Sequence, residues 1–235
     1  MNVKNVAIED IQSSFNQFAK LILRQLELLE QIMNTKEPNI SKNQLIEIKE
    51  NEKRFDQFEI EISEKFINSI IRYKPVASDL RKIMAIYRMS INLERIGDLI
   101  MNIVDTIDHM KDLRLYSDMS GVIYNMLVSS INMVEKSLLS FSNNDREFAI
   151  WTIKNDSEVD KMNHKLLSNH IKKSPELNNE SKQTLFGIIN LRNIITHIER
   201  IADNATNIAE ASIYSLDGTD LRHTKIDDKK ESNTN

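Results

Sequence analysis

Apolar residues recur at steps of three and four along most of this chain, the spacing of one buried helix face. Ile8, Ile11, Phe15, Phe18, Ile22, Leu26 and Leu29 mark a helix over about residues 6–33, and the polar run Asn34-Thr35-Lys36-Glu37-Pro38-Asn39 breaks it. A second helix is predicted over 42–73, capped by Asn39 or Ser41, with Leu45, Ile48, Phe55, Ile62 and Phe66 inward. Pro75 ends it and biases Lys74 out of the helical region. The third, over 76–111, carries the seam Ile86, Met89, Leu93, Ile96, Ile100, Ile103, Ile107, the mark of a helical bundle. A fourth spans about 116–141 with Met119, Val122, Ile123, Met126, Ile131, Val134 and Leu138 inward. After the turn Ser142-Asn143-Asn144, Asp145 caps a fifth over 146–172, which Ser174-Pro175 closes. The sixth, over 182–216, has the seam Leu191, Ile194, Ile198, Ile201, Ala205, Ile208.

The last seam copies the third helix at an offset of 105 residues. Asn92-Leu93-Glu94-Arg95-Ile96-Gly97-Asp98 returns as His197-Ile198-Glu199-Arg200-Ile201-Ala202-Asp203, and Asn102-Ile103 returns as Asn207-Ile208. The chain is therefore expected to be all-α, built as two tandem three-helix bundles related by an internal repeat. The expected units are residues 1–111 and 112–216, with a polar, disordered tail over 217–235. A pseudo-two-fold pair of bundles and one continuous six-helix array both satisfy the repeat.

Composition narrows the function. Among 235 residues only four Gly and three Pro interrupt the helices, and the formal charge of −4 is unlike the basic balance of a nucleic-acid binder. The absence of cysteine removes disulfides, thiolate metal sites and cysteine nucleophiles. Residues 1–10 include Glu9 and Asp10 without the apolar core of a secretory signal. No stretch approaches the roughly 20 apolar residues that cross a bilayer, so a cytoplasmic protein is expected.

The candidate chemistry lies in four pairs of acids spaced i, i+4: Glu52/Asp56, Glu94/Asp98, Asp156/Asp160 and Glu199/Asp203. That spacing sets both acids of a pair on one helix face. Glu59 extends the second helix's set, and Asn163 holds its place in the fifth helix at an offset of 104. Asp56 lies nineteen residues before Pro75 and Glu94 nineteen after it, so the two motifs reach one height if the helices are antiparallel neighbours. Asn102 and Asn207 continue the two faces by a turn. Carboxylates brought together repel unless they are protonated or bridged by cations. Oxygen-only donors suit hard divalent or trivalent ions, with Mg, Mn, Ca or Fe ahead of Zn. The plainer alternative is a solvated face of acids balanced by Arg95 and Arg200. Asp105/His109 and His197/Glu199 are accessory pairs at most. No Glu has a His three residues on, as a ferritin-like di-iron site requires. Met84, Met89, Met101, Met126 and Met133 read as core filling.

Pro75-Val76-Ala77-Ser78-Asp79-Leu80-Arg81, then Leu93-Glu94-Arg95-Ile96-Gly97-Asp98, then Ile198-Glu199-Arg200-Ile201-Ala202-Asp203-Asn204-Ala205-Thr206-Asn207-Ile208-Ala209-Glu210 together resemble the PhoU family. The resemblance covers about residues 5–215. It implies two tandem three-helix bundles with metal clusters of Fe, Mn, Mg or Zn held by Glu52, Asp56, Glu94, Asp98, Asp156, Asp160, Glu199 and Asp203. Asn102, Asn207 and Glu59 are additional ligand candidates. It implies a non-enzymatic, cytoplasmic homodimer that negatively regulates phosphate uptake and starvation signalling, with the ATPase subunit of a phosphate ABC transporter and a sensor histidine kinase as partners. Two features depart from the family pattern. The Pro-x-Ala-x-Asp-Leu-Arg stretch has no counterpart at Ser181-Lys182-Gln183-Thr184-Leu185, and Asn163 makes the second acid set less anionic. The competing readings are a carboxylate-bridged metal-dependent hydrolase or oxidase, a metal-storing bundle, and the regulatory domain of a sodium–phosphate cotransporter.

Overall fold

The computed structural model describes residues 3–110, 113–171 and 182–221. Six helices follow one another: α1 (Val3–Met33), α2 (Lys42–Tyr73), α3 (Ser78–His109), α4 (Arg114–Asn143), α5 (Arg146–Ile171) and α6 (Lys182–Asp217). The described residues contain no strand. The helix ends follow their local chemistry. Ser41 caps α2 with a reciprocal box to Gln44, and Asp145 Oδ1 accepts from the Glu147 and Phe148 amides at the start of α5. Lys74 leaves the helix for the left-handed region at φ 44°, with its amide bonded to the Ile70 carbonyl. The turn through Ala77, at φ 48°, delays α3 to Ser78. The expected stop at Ser174-Pro175 lies outside the described residues.

Each repeat runs up, down, up. Lys65 Nζ meets Asp10 and Ser14 at 2.8 Å, and Arg24 Nε meets Glu47 at 2.9 Å, which fixes α1 and α2 as antiparallel. Inside that contact, buried Asn51 donates to the Gln25 side-chain oxygen and Gln25 donates to the Ile48 carbonyl. A satisfied polar pair of this kind opposes a slip between the two helices. In the second repeat Ser130 Oγ donates to the Ile198 carbonyl at 3.2 Å and Ser140 lies 2.6 Å from Ser212, so α4 and α6 are parallel.

The seam positions expected from the sequence are buried in α1, α3 and α6. Val122 is the exception in α4, 47% exposed, one residue off the stripe through Met119, Ile123 and Met126. One apolar cluster runs through α1 to α6. It is continuous because the repeats pack along two helix pairs. α1 crosses α4 antiparallel, with Phe15 edge-on to Phe141 at 5.5 Å and Tyr116 donating to the Met33 carbonyl. α3 lies antiparallel to α6, Arg81 against Gly218 and the Arg88 guanidinium 4.9 Å from the Tyr214 ring. The helices α2 and α5 are outermost, each packed on its own repeat. At the C-terminal end of α6, Leu221 packs on Ala149, Ala209 and Ile213. The rest of the expected tail, 222–235, lies outside the described residues.

Candidate metal centres

The connection through Pro75 folds α2 back along α3 and brings their acids face to face. Glu52 titrates above its ordinary value, first because burial strips water from it and then because Asp98, Asp56 and Asp105 repel its charge. Glu94 is pushed up to about 7 by burial, then by Asp98, Glu59 and Asp56, with Arg95 giving partial relief. Asp98 is raised by burial and by Asp56, while a hydrogen bond from the Glu94 carboxyl holds it back. The first cluster therefore joins Glu52, Asp56 and Glu59 of α2 to Glu94, Asp98 and Asp105 of α3.

By sequence, Asp105 and His109 are an accessory pair at most. In the structure His109 Nδ1 lies 2.8 Å from the Asp105 carbonyl instead, and Asp105 belongs to the acid face. The signal was present in the sequence: Asp105 follows Asp98 by seven residues, two turns along the same face.

The same geometry recurs between α5 and α6. Asp203 is pushed up to about 6 by burial, then by Asp156, Glu199 and Asp160, with Arg200 opposing. Asp156 is raised by burial, Asp160 and Glu199, and is held back by the Thr206 hydroxyl, which donates to it at 3.2 Å. Thr206 has no special sequence mark. It faces α5 because it stands three residues beyond Asp203. Asn163, the counterpart of Glu59, is buried with its Oδ1 lacking a hydrogen-bond partner.

Of the added candidates, Glu59 joins the first cluster, Asn102 is exposed, and Asn207 turns toward α3. His197 is half-buried with an unpartnered Nδ1, and burial followed by the Arg200 charge lowers its pKa, so it forms no pair with Glu199. Among the described residues no three His, Asp or Glu side chains already close around a common ion position. Two to three rotatable bonds per carboxylate let them converge from the faces that the helices fix. The donor chemistry fits hard cations. Each set presents carboxylate oxygens, some half-buried (Glu52, Glu94, Asp156, Glu199) and some exposed (Asp56, Asp98, Asp203), and their mutual repulsion is one that a cation would relieve.

A duplicated three-helix bundle with one carboxylate cluster between the second and third helices of each repeat defines a class of all-helical repeat protein. The PhoU domain family model matches residues 15–107 and 123–212, one match per repeat, and the chain belongs to the PhoU family. It is 29% identical over 173 residues to the phosphate-specific transport system accessory protein PhoU homolog 1 of Thermotoga maritima, covering 74% of this chain and 73% of that one. It is 25% identical over 228 residues to the phosphate-specific transport system accessory protein PhoU of Escherichia coli K12, covering 95% and 89%. The crystal structure of the phosphate transport system regulatory protein PhoU from Streptococcus pneumoniae superposes with a TM-score of 0.78 at 22% identity, over 92% of this chain and 98% of that one.

Proposed function

We propose that this protein is a non-enzymatic, cytoplasmic accessory regulator of phosphate transport. In this reading it restrains phosphate uptake and phosphate-starvation signalling when phosphate is plentiful. It does so as a homodimer by contacting the ATPase subunit of a phosphate ABC transporter and a sensor histidine kinase. The observation that carries the reading is the match of both repeats to one family whose full-length relatives are named accessory proteins of phosphate-specific transport. No helix of the described residues is long and apolar enough to cross a membrane, so membrane components would be met through docking.

In the same reading, Glu52, Asp56, Glu94 and Asp98 hold metal ions on one repeat, and Asp156, Asp160, Glu199 and Asp203 on the other. Bound ions would neutralise the clusters and fix α2 against α3 and α5 against α6, giving the outer surfaces a defined shape for partners.

The test is deletion of the gene in its own host, followed by phosphate uptake and the output of a phosphate-controlled promoter. Uptake and promoter activity that stay high in phosphate-rich medium, restored to normal by the intact gene, are the expected result. Normal repression in the deletion strain would overturn the regulatory role.

A further inference from the structure

Arg81, Arg88 and Arg95 stand seven apart on α3. Seven residues are two turns, so the three share a face. That face turns across the seam between repeats, with Arg95 at the edge nearest Glu94. The matching positions of α6 are Phe186, Asn193 and Arg200, so two of the three arginines have no counterpart. Neither the duplicated fold nor the duplicated acid clusters accounts for a row found in one repeat.

The row faces the last turns of α6. The Arg81 side chain lies against Gly218, and its Nε is buried with no hydrogen-bond partner. Beyond it, Arg88 and Arg95 line an open cleft of about 310 Å³ together with Asn92 and Asn207. Among the described residues neither Arg88 nor Arg95 forms an ion pair; the Arg88 guanidinium rests on the Tyr214 ring, and the Arg95 charge is felt by Glu94. Two acids, Glu210 and Asp220, also border the cleft, and each is already engaged in an interaction of its own. A guanidinium keeps its charge at every physiological pH, and its planar fork matches the edge of a tetrahedral oxyanion. At roughly 30 Å³ per water, the cleft holds about ten water volumes, room for an oxyanion and part of its hydration shell or for a small ester.

We propose that this cleft binds a phosphate-type oxyanion, either inorganic phosphate or the terminal group of a small phosphomonoester. The anion would be held by Arg88 and Arg95 from the first repeat and by the Asn207 amide from the second. A ligand gripped from both sides of the seam ties its own concentration to the relative position of the repeats. The site stands apart from the metal reading, because none of its donors needs a cation.

The test is equilibrium dialysis of labelled inorganic phosphate against the full-length protein, stripped of metal by chelator and held at low salt. Saturable binding is expected, weakened about tenfold or more in R95Q, since a charge-assisted hydrogen bond is lost. It should be unchanged in R72Q, at the exposed end of α2. R95Q carries the decision because Arg95 is exposed and its loss leaves the core untouched. R88K, which keeps the charge and loses the fork, is expected to bind more weakly than the native protein and more tightly than R88Q. Glycerol phosphate as competitor assigns the ligand: tighter binding than phosphate points to an ester, weaker binding to the free ion. Absence of saturable binding below about 10 mM, or equal affinity in R95Q and the native protein, would overturn the proposal. Either result would leave the metal reading standing, since the sample contains no metal.

Discussion

Folding takes Glu94 and Asp203 partly out of water and surrounds each with other acids, and both therefore hold their protons to higher pH than they do in an unfolded chain. Between the two values the folded state binds more protons, so stability falls as pH rises. The Glu94 contribution is fully present below its ordinary 4.5 and is lost as pH passes through about 7. That of Asp203 is fully present below 3.8 and is lost through about 6. Both groups are partly solvated, which screens the effect and keeps it modest. In chelator, urea midpoints of the native protein are expected to drop between pH 5 and pH 8 more than those of E94Q, which has no charge to gain there. Parallel pH profiles for the two proteins would show that Glu94 does not feel its neighbours. A hard divalent cation should act in the opposite sense, stabilising more as pH rises and the ligands deprotonate.

At the scale of elements, the approach of α2 to α3 is set by Gly97 between Glu94 and Asp98. A Cβ there would collide with the Phe55 ring. The ring packs against the α3 backbone at Gly97, between the acids Glu52 and Asp56 of α2 in sequence. In the second repeat Ala202 stands for Gly97 and Val159 for Phe55, and both are buried. Gly97→Ala should destabilise by about 1–3 kcal/mol through overpacking, measured by urea unfolding. The double variant F55V/G97A, which copies the second repeat, should recover part of that loss. Equal destabilisation in the single and double variants would mean that Phe55 does not govern the spacing.

The periodic helices were legible in the sequence because a buried stripe repeats with the helix itself. Leu93, Ile96 and Ile100 could face nowhere but inward. The repeated acid pairs were legible for the same reason, since a spacing of four is a statement about one helix. Contacts between helices far apart in sequence were not. Nothing in the spacing says that Arg88 meets Tyr214. Asp105 continues the face of Asp98, but its nearness to Glu52 depends on a second helix that the spacing does not describe.

At the scale of the whole molecule, the two repeats share one apolar core along α1/α4 and α3/α6, while the acids gather where α2 meets α3 and where α5 meets α6. The chemistry lies where each outer helix meets its inner neighbour, with acids contributed by both. Each outer helix is held to its repeat partly by packing and is opposed by a cluster of like charges. A cation in either cluster would turn that opposition into a bond between helices. The direct measurement is elemental analysis of the purified native protein beside a variant with Glu94, Asp98, Glu199 and Asp203 changed to alanine. Metal bound by both repeats of the native chain and lost from the variant is expected, with the helical circular dichroism of the two proteins alike. Metal that is negligible in the native protein, or unchanged in the variant, would contradict metal binding by these acids and return them to a solvated face balanced by Arg95 and Arg200.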